Sequence, residues 1–251
     1  MLQLRALALV MILCLPAAAW DSRHSNPTHP THSYLTEWAI DQLADQYPAL
    51  KAPAVRKALL DGANSECHEL PLDESDKTLG NSYGLDLEAR RVEHQGTNEG
   101  SNDVEGWWND ARAAYQAGNE LQAYYLLGVL LHMVEDMGVP AHANMVVHQG
   151  NAREFDNFEA MALSNWKPDW NDWNVDRTDP TYELPSNYYQ FSREWTQADA
   201  PDYHDRDKFS KVWTFASKSE KTLLSNRQAR TCNVVKWTLA SGLRAFGVLT
   251  Q

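Results

Sequence analysis

The chain has 251 residues, with 34 acidic against 22 basic side chains and a formal net charge of −12 at pH 7. This length is enough for one domain with a large core. The acidic balance argues against a nucleic-acid-binding surface, because such a surface would repel phosphates unless a local patch or bound cations reversed its sign.

The start of the chain has the pattern of a secretion signal. An apolar run over residues 7–15 follows a positive charge, and small residues at 17–19 mark a cleavage site. The apolar run is too short to span a membrane. We therefore expect residues 1–19 to be removed as a signal peptide, leaving Trp20 as the new N-terminus. Residues 20–251 would then form one secreted or periplasmic domain.

The first part of this domain is predicted to hold two helices and a long loop. Residues 20–31 are polar and broken by prolines, which predicts an extended arm. A helical stripe of apolar residues starts at His32 and ends before Pro48, and a second short helix is predicted over 53–60. Residues 62–102 are rich in acids and glycines, which predicts a long loop with a functional role.

The rest of the chain alternates between helical and irregular segments. It has no alternating strand pattern of useful length, so we predict an all-α fold in a single domain. Besides the segment described next, the predicted helices are 104–117, 152–164, 188–196 and, with at least one break, 205–249.

Residues 124–142 (YYLLGVLLHMVEDMGVPAH) are the most informative stretch. Apolar side chains recur at helical spacing, and Pro140 lies where the helix should end. His132 and Asp136 are four residues apart and so project from one helix face, and His142 follows the helix end. A His and an Asp one turn apart on a buried helix suit zinc, although the two could also satisfy each other by hydrogen bonding in the core.

Removal of the signal would leave two of the three cysteines, Cys67 and Cys232. Two cysteines in an exported chain most simply form one disulfide.

The chain resembles the bacterial zinc-dependent phospholipases C, whose all-α fold is shared with the zinc-dependent single-strand nucleases. The matching features follow the family's order and cover most of the chain after residue 19. They are Trp20, His32 at the start of the first helix, the segment around Gly62, His94, the HxxxDxxxPxH run and the sequence FDNF at 155–158.

The resemblance implies three zinc ions in one cleft. Trp20 would bind the first zinc through its free α-amine and carbonyl, together with His32. His94 and His132 would bind the second zinc, and Asp136 would bridge the two ions.

The third zinc of the family is implied to bind His142, together with a carboxylate and a histidine of the following segment. The family has this histidine four residues before a Glu on one helix. In this chain FDNF puts Asp156 at the Glu position, but Ala152 stands four residues earlier. We therefore assign Asp156 and the nearest histidine, His148, to the third zinc.

The chain departs from the family's ligand pattern at a second position. Where the family has an Asp after the Gly62 segment, this chain has Cys67, preceded by Glu66. Either Glu66 supplies the carboxylate or the Cys67 thiolate binds zinc directly, which a disulfide to Cys232 would forbid. We assign Glu66 as both a metal ligand and the general base that takes a proton from water.

The resemblance implies cleavage of the bond between glycerol and phosphate in phospholipids, giving diacylglycerol and a phosphorylated headgroup. The enzyme would be a monomer that acts on phospholipids at a membrane or micelle surface. The acidic net charge makes nucleic acid the less favoured partner. A single-strand nuclease is an alternative, because the Trp-rich residues 166–173 could stack bases. A non-catalytic zinc- or lipid-binding module is another, favoured by the change to Cys67.

Overall fold

The computed structural model of the chain describes residues 31–65, 74–85, 98–146, 155–164, 179–200, 203, 208 and 210–248. The elements below are those of this described part. The helices are α1 (Thr31–Leu43), α2 (Pro53–Ala63), α3 (Glu74–Ser82), α4 (Asn98–Gln116), α5 (Glu120–Asp136), α6 (Pro140–Ala143), α7 (Phe158–Ser164), α8 (Pro185–Ala198) and α9 (Lys218–Phe246). A 3-10 turn spans Pro48–Lys51, and the two-residue strands β1 (Phe155–Asp156) and β2 (Ser210–Lys211) pair in parallel.

The predicted all-α class is confirmed, since β1 and β2 are the only strands among the described residues. Helix α5 lies at the centre and packs against α1, α2, α4, α8 and α9. Every residue of α5 from Ala123 to Asp136 is buried. A helix that is apolar around most of its circumference is stable only inside a core, which explains why the other helices surround it.

The close packing of α2 on α5 depends on two glycines that face each other, Gly62 and Gly128. A Cβ atom on Gly62 would lie 2.0 Å from the backbone oxygen of Tyr125, and one on Gly128 would lie 2.2 Å from that of Leu59. No larger residue fits at either position without moving a backbone. The absence of these two side chains therefore sets how closely the end of α2 approaches α5.

Four segments differ from the sequence-based prediction. In the predicted helix over 205–249, residues 210–211 form β2 and helix starts only at Lys218. Residues 62–102, predicted as loop, contain α3, whose sequence ESDKTLGNS is too polar to show an apolar stripe. The same range includes the start of α4, which begins at Asn98 rather than at Val104. Residues 155–156 form β1 where a helix was predicted, so helix starts only at Phe158.

Among the described residues, no helix is long and apolar enough to cross a membrane.

Candidate metal centre

The second half of α5 brings His132 and Asp136 together, as their spacing predicts. Both side chains are buried, and Nε2 of His132 lies 3.4 Å from Oδ2 of Asp136. Helix α5 ends at Asp136, and the peptide N–H of Val139 bonds back to the Asp136 carbonyl. The carboxylate therefore sits on the last turn of a helix that is fixed on all sides by the core.

The imidazole of His132 is held by the end of α2. Its Nδ1 atom lies 2.8 Å from the backbone oxygen of Ala63. A carbonyl oxygen can only accept a hydrogen bond, so Nδ1 carries the proton. In the neutral ring the lone pair is then on Nε2, the atom that faces Asp136. The Gly62–Gly128 contact next to Ala63 keeps this carbonyl in reach of the ring.

Helix α1 places a second histidine, His32, beside His132 and Asp136. The His32 ring stacks on the His132 ring with 4.1 Å between centroids, and its Nε2 atom lies 3.7 Å from Oδ1 of Asp136. Its other nitrogen, Nδ1, lies 2.5 Å from Oε2 of Glu135. Both rings therefore bond through Nδ1 to an acceptor and turn Nε2 toward the same carboxylate.

Glu135 belongs to the candidate site and was missed by the sequence analysis. It is fully buried, and while one carboxylate oxygen accepts from His32, the other accepts from the Thr36 hydroxyl at 2.7 Å. A carboxylate on the outer nitrogen of a ligand histidine fixes the ring and raises its basicity. The sequence contained one indication of its importance, because Glu135 directly precedes Asp136 in a helix that has few other charged residues.

This donor set fits a borderline-soft cation. One ligand atom from each of His32, His132 and Asp136 lies within 4.8 Å of the other two, and all three residues are buried. Two imidazole nitrogens and a carboxylate oxygen are typical zinc ligands. The hydrogen bonds of the two Nδ1 atoms support this fit to a metal ion. They leave the Nε2 atom of each ring directed at Asp136 and able to act as a ligand. The buried group could therefore bind a metal.

His142 lies on the short helix α6, just beyond α5. Its Nε2 atom is 3.0 Å from Oε1 of Glu159, which comes from the first turn of α7. Both side chains are buried. The structure thus places Glu159, three residues after the assigned Asp156, beside His142. The sequence analysis did not consider Glu159, although it is a carboxylate in the first turn of the following helix.

Asp156 has a different environment. Its Oδ1 atom accepts from the backbone N–H of Phe158 at 2.7 Å, and its Oδ2 atom accepts from Nε1 of Trp213 at 3.1 Å and from the Tyr203 hydroxyl. Burial raises the pKa of Tyr203 well above its usual range, and the charge of Asp156 adds to the effect. This carboxylate joins the start of α7 to Tyr203 and Trp213.

The remaining residues assigned from the resemblance, Trp20, Glu66, His94 and His148, lie outside the described residues, and so does Cys67. Cys232 is a buried, free thiol on α9, which does not agree with the predicted disulfide to Cys67. Burial raises the pKa of this thiol well above its usual value, and nearby Glu135 adds to the shift.

Comparison with known proteins finds similarity to solved structures, one of which is described here. No family model and no curated protein matches the sequence. A crystal structure of the alpha-toxin of Clostridium perfringens from an avian strain is similar over 84% of this chain, at 15% identity and a TM-score of 0.46. The match covers 63% of the toxin chain, so this chain spans less than two thirds of its length.

Proposed function

We propose that the protein is a zinc-dependent phosphodiesterase of the phospholipase C type. The observation that carries this proposal is the convergence of His32, His132 and Asp136, with each imidazole turned so that Nε2 faces the carboxylate. The sequence resemblance supports the same function, through the HxxxDxxxPxH run and Trp20.

In this proposal the buried group holds two of the three expected zinc ions. His32 would bind one ion with the terminal amine of Trp20, His132 would bind another with His94, and Asp136 would bridge them. When bound, the ions would polarise the phosphoryl oxygens and lower the pKa of a water molecule. Two buried imidazoles and a carboxylate lose little side-chain freedom on binding, because the fold already fixes them.

The supporting contacts have a direct role in this arrangement. Glu135 and the Ala63 carbonyl hold the protons of His32 and His132 on Nδ1, so the opposite nitrogens stay available as ligands. Thr36 holds the second oxygen of Glu135 and keeps that carboxylate in line with His32.

For the third ion we propose His142 with Glu159, and with His148 as a further ligand. The 3.0 Å approach of Glu159 to His142 supports this choice over Asp156, whose oxygens accept hydrogen bonds from Phe158 and Trp213. The general base of the reaction is proposed to be Glu66, whose carboxylate would take the proton of the attacking water.

The proposed substrate is a phospholipid outside the cell or in the periplasm. A formal charge of −12 disfavours long polyanions but not a single zwitterionic headgroup. The bond to be cleaved joins glycerol to phosphate, and the products would be diacylglycerol and a phosphorylated headgroup.

An assay of the purified, signal-cleaved protein tests this function. Metal content is measured first, and hydrolysis of phosphatidylcholine, phosphatidylethanolamine and single-stranded DNA is then compared with and without chelator. We expect about three zinc ions per chain and chelator-sensitive release of diacylglycerol. Cleavage of DNA alone would establish the nuclease instead, and zinc binding without turnover would establish a non-catalytic module.

A further inference from the structure

A polar pocket lies between the end of α5, α8 and α9. It is small, with room for a single water molecule or monatomic ion, and it is partly open to solvent. Its lining includes Ser192, Trp195, Thr196, Arg227, Arg230 and Thr231. None of these residues belongs to the candidate metal centre, so the pocket needs an explanation of its own.

Arg227 is the unusual residue of this pocket. It is only 2% exposed, and one of its Nη atoms donates to the backbone oxygen of Thr196 at 3.2 Å. Its Nε atom has no hydrogen-bond partner, and no carboxylate forms an ion pair with it among the described residues. Arginine is almost never buried without a counter-charge, because removing an uncompensated charge from water is costly.

Among the described residues, the charge of Asp156 acts on Arg227 without forming an ion pair with it. The oxygens of Asp156 are occupied by Phe158, Trp213 and Tyr203. Burial lowers the pKa of Arg227 to about 10, and the opposing effects of Tyr203 and Asp156 do not restore it. The guanidinium thus remains poorly compensated within the fold.

A second guanidinium stands at the mouth of the pocket. Arg230 stacks on Trp195, with Cζ 4.4 Å from the ring centroid, and pairs with Asp199. The hydroxyl of Thr231 donates to the backbone oxygen of Arg227 at 2.8 Å, and that of Ser192 to Val134 at 3.4 Å. With these two hydroxyl protons engaged, the guanidinium groups of Arg227 and Arg230 are the cationic donors among the lining residues.

We propose that this pocket binds one small monovalent anion of the size of chloride. The donors are cationic, the charge of Arg227 has no ion pair in the part of the chain that the structure describes, and the space suits a monatomic ion. A phosphate ester is too large for the space. A water molecule could accept from Nε, but it would leave the buried charge uncompensated.

The test is the unfolding midpoint of the metal-loaded protein at constant ionic strength, with chloride exchanged stepwise for gluconate, which is too large for the pocket. A ligand that binds only the folded state raises the midpoint as its concentration rises. We expect a saturable rise for the wild type. In crystals soaked in bromide, we expect an anomalous scattering peak between Arg227 and Arg230.

The variant Arg227→Met removes the charge and keeps an apolar stem of similar length. Its chloride dependence should vanish, whereas Arg56→Gln, which removes a surface arginine paired with Asp41, should keep the wild-type dependence. If Arg227→Met does not fold, Arg230→Gln is the second variant, and its chloride affinity should fall by about tenfold through loss of a charge-assisted donor.

Three results would overturn the proposal. They are a wild-type midpoint that does not respond to chloride, a response that persists in Arg227→Met, and a bromide peak found only at the metal centre. The second would place the anion at a site that does not depend on Arg227, and the third would place it on the metal.

Discussion

Two buried aspartates, Asp136 and Asp156, have opposite surroundings. The described neighbours of Asp136 include the Nε2 atoms of His32 and His132, at 3.7 and 3.4 Å, whose rings carry their protons on the far side when neutral. Around Asp156 the neighbours are N–H and O–H donors. A carboxylate that faces lone pairs is suited to share a cation with them, whereas one that receives protein donors acts as a structural hydrogen-bond acceptor.

The sharpest test of this contrast is Asp136→Asn. Because the change removes the charge that would bridge two ions, activity and zinc content should both fall. The loss of activity should exceed the roughly 10–100-fold cost of removing only a supporting partner of a metal ligand. Zinc analysis and lipid hydrolysis on the same preparation check this. Normal zinc content in Asp136→Asn would show that Asp136 is not needed to bind the metal, and the proposed difference between the two aspartates would be wrong.

Glu135→Gln should have the next largest effect. The amide keeps the size of the side chain but cannot hold the His32 proton as a carboxylate does, so zinc affinity should fall by about 10–100-fold. Competition with a zinc-binding dye measures that affinity. Glu120→Gln, the same change at the exposed first residue of α5, is the control. Equal affinity in Glu135→Gln and wild type would show that Glu135 is only a core residue.

Asp156→Asn should act on stability and leave the metal centre intact. An amide can still accept some of these hydrogen bonds, so the loss should be about 1–3 kcal/mol in the free energy of unfolding. Denaturant titration measures it, with zinc content measured in parallel. Glu159→Gln is the matched variant, and it should lose zinc while Asp156→Asn keeps it. The reverse outcome would restore Asp156 as the ligand.

Tyr203→Phe should give the smallest effect, about 1 kcal/mol at neutral pH for one hydrogen bond lost to Asp156. The pH dependence adds a second measurement. The pKa of Tyr203 is raised in the folded state above the unfolded value of 10.0. Its contribution is therefore complete below pH 10.0 and is lost as the pH rises beyond it. The unfolding free energy of Tyr203→Phe should decline less steeply above that pH than that of the wild type.

The surroundings of Asp136 can be predicted from the sequence more fully than those of Asp156. His132 and Asp136 lie on one regular helix, so their spacing alone puts them on one face. The assigned Asp156 and the observed Glu159 are separated by the change from β1 to α7, and residues before that change follow no helical spacing. Spacing rules therefore fail there, and the partner of His142 is set by tertiary contacts.

Glu135 shows a second limit of sequence reasoning. Its partner His32 lies 103 residues away, and no local pattern connects them. The all-α class and the central place of α5 could be predicted because they depend on composition and apolar periodicity. Helix α3 could not, because its polar sequence carries no apolar period.

The separation of His32 from the ligand residues of α5 along the chain also bears on the order of folding and metal binding. His32 and Asp136 stand on the first and fifth helices, so the ligand group exists only after a long loop has closed. In a zinc finger the ligands are near neighbours and the ion itself drives folding. Under the proposed function, α1 and α2 would pack on α5 before the ligand group is complete, and the metal would bind a protein that is already folded. Metal supply would then govern when the protein becomes active, while the helical core governs whether it folds at all.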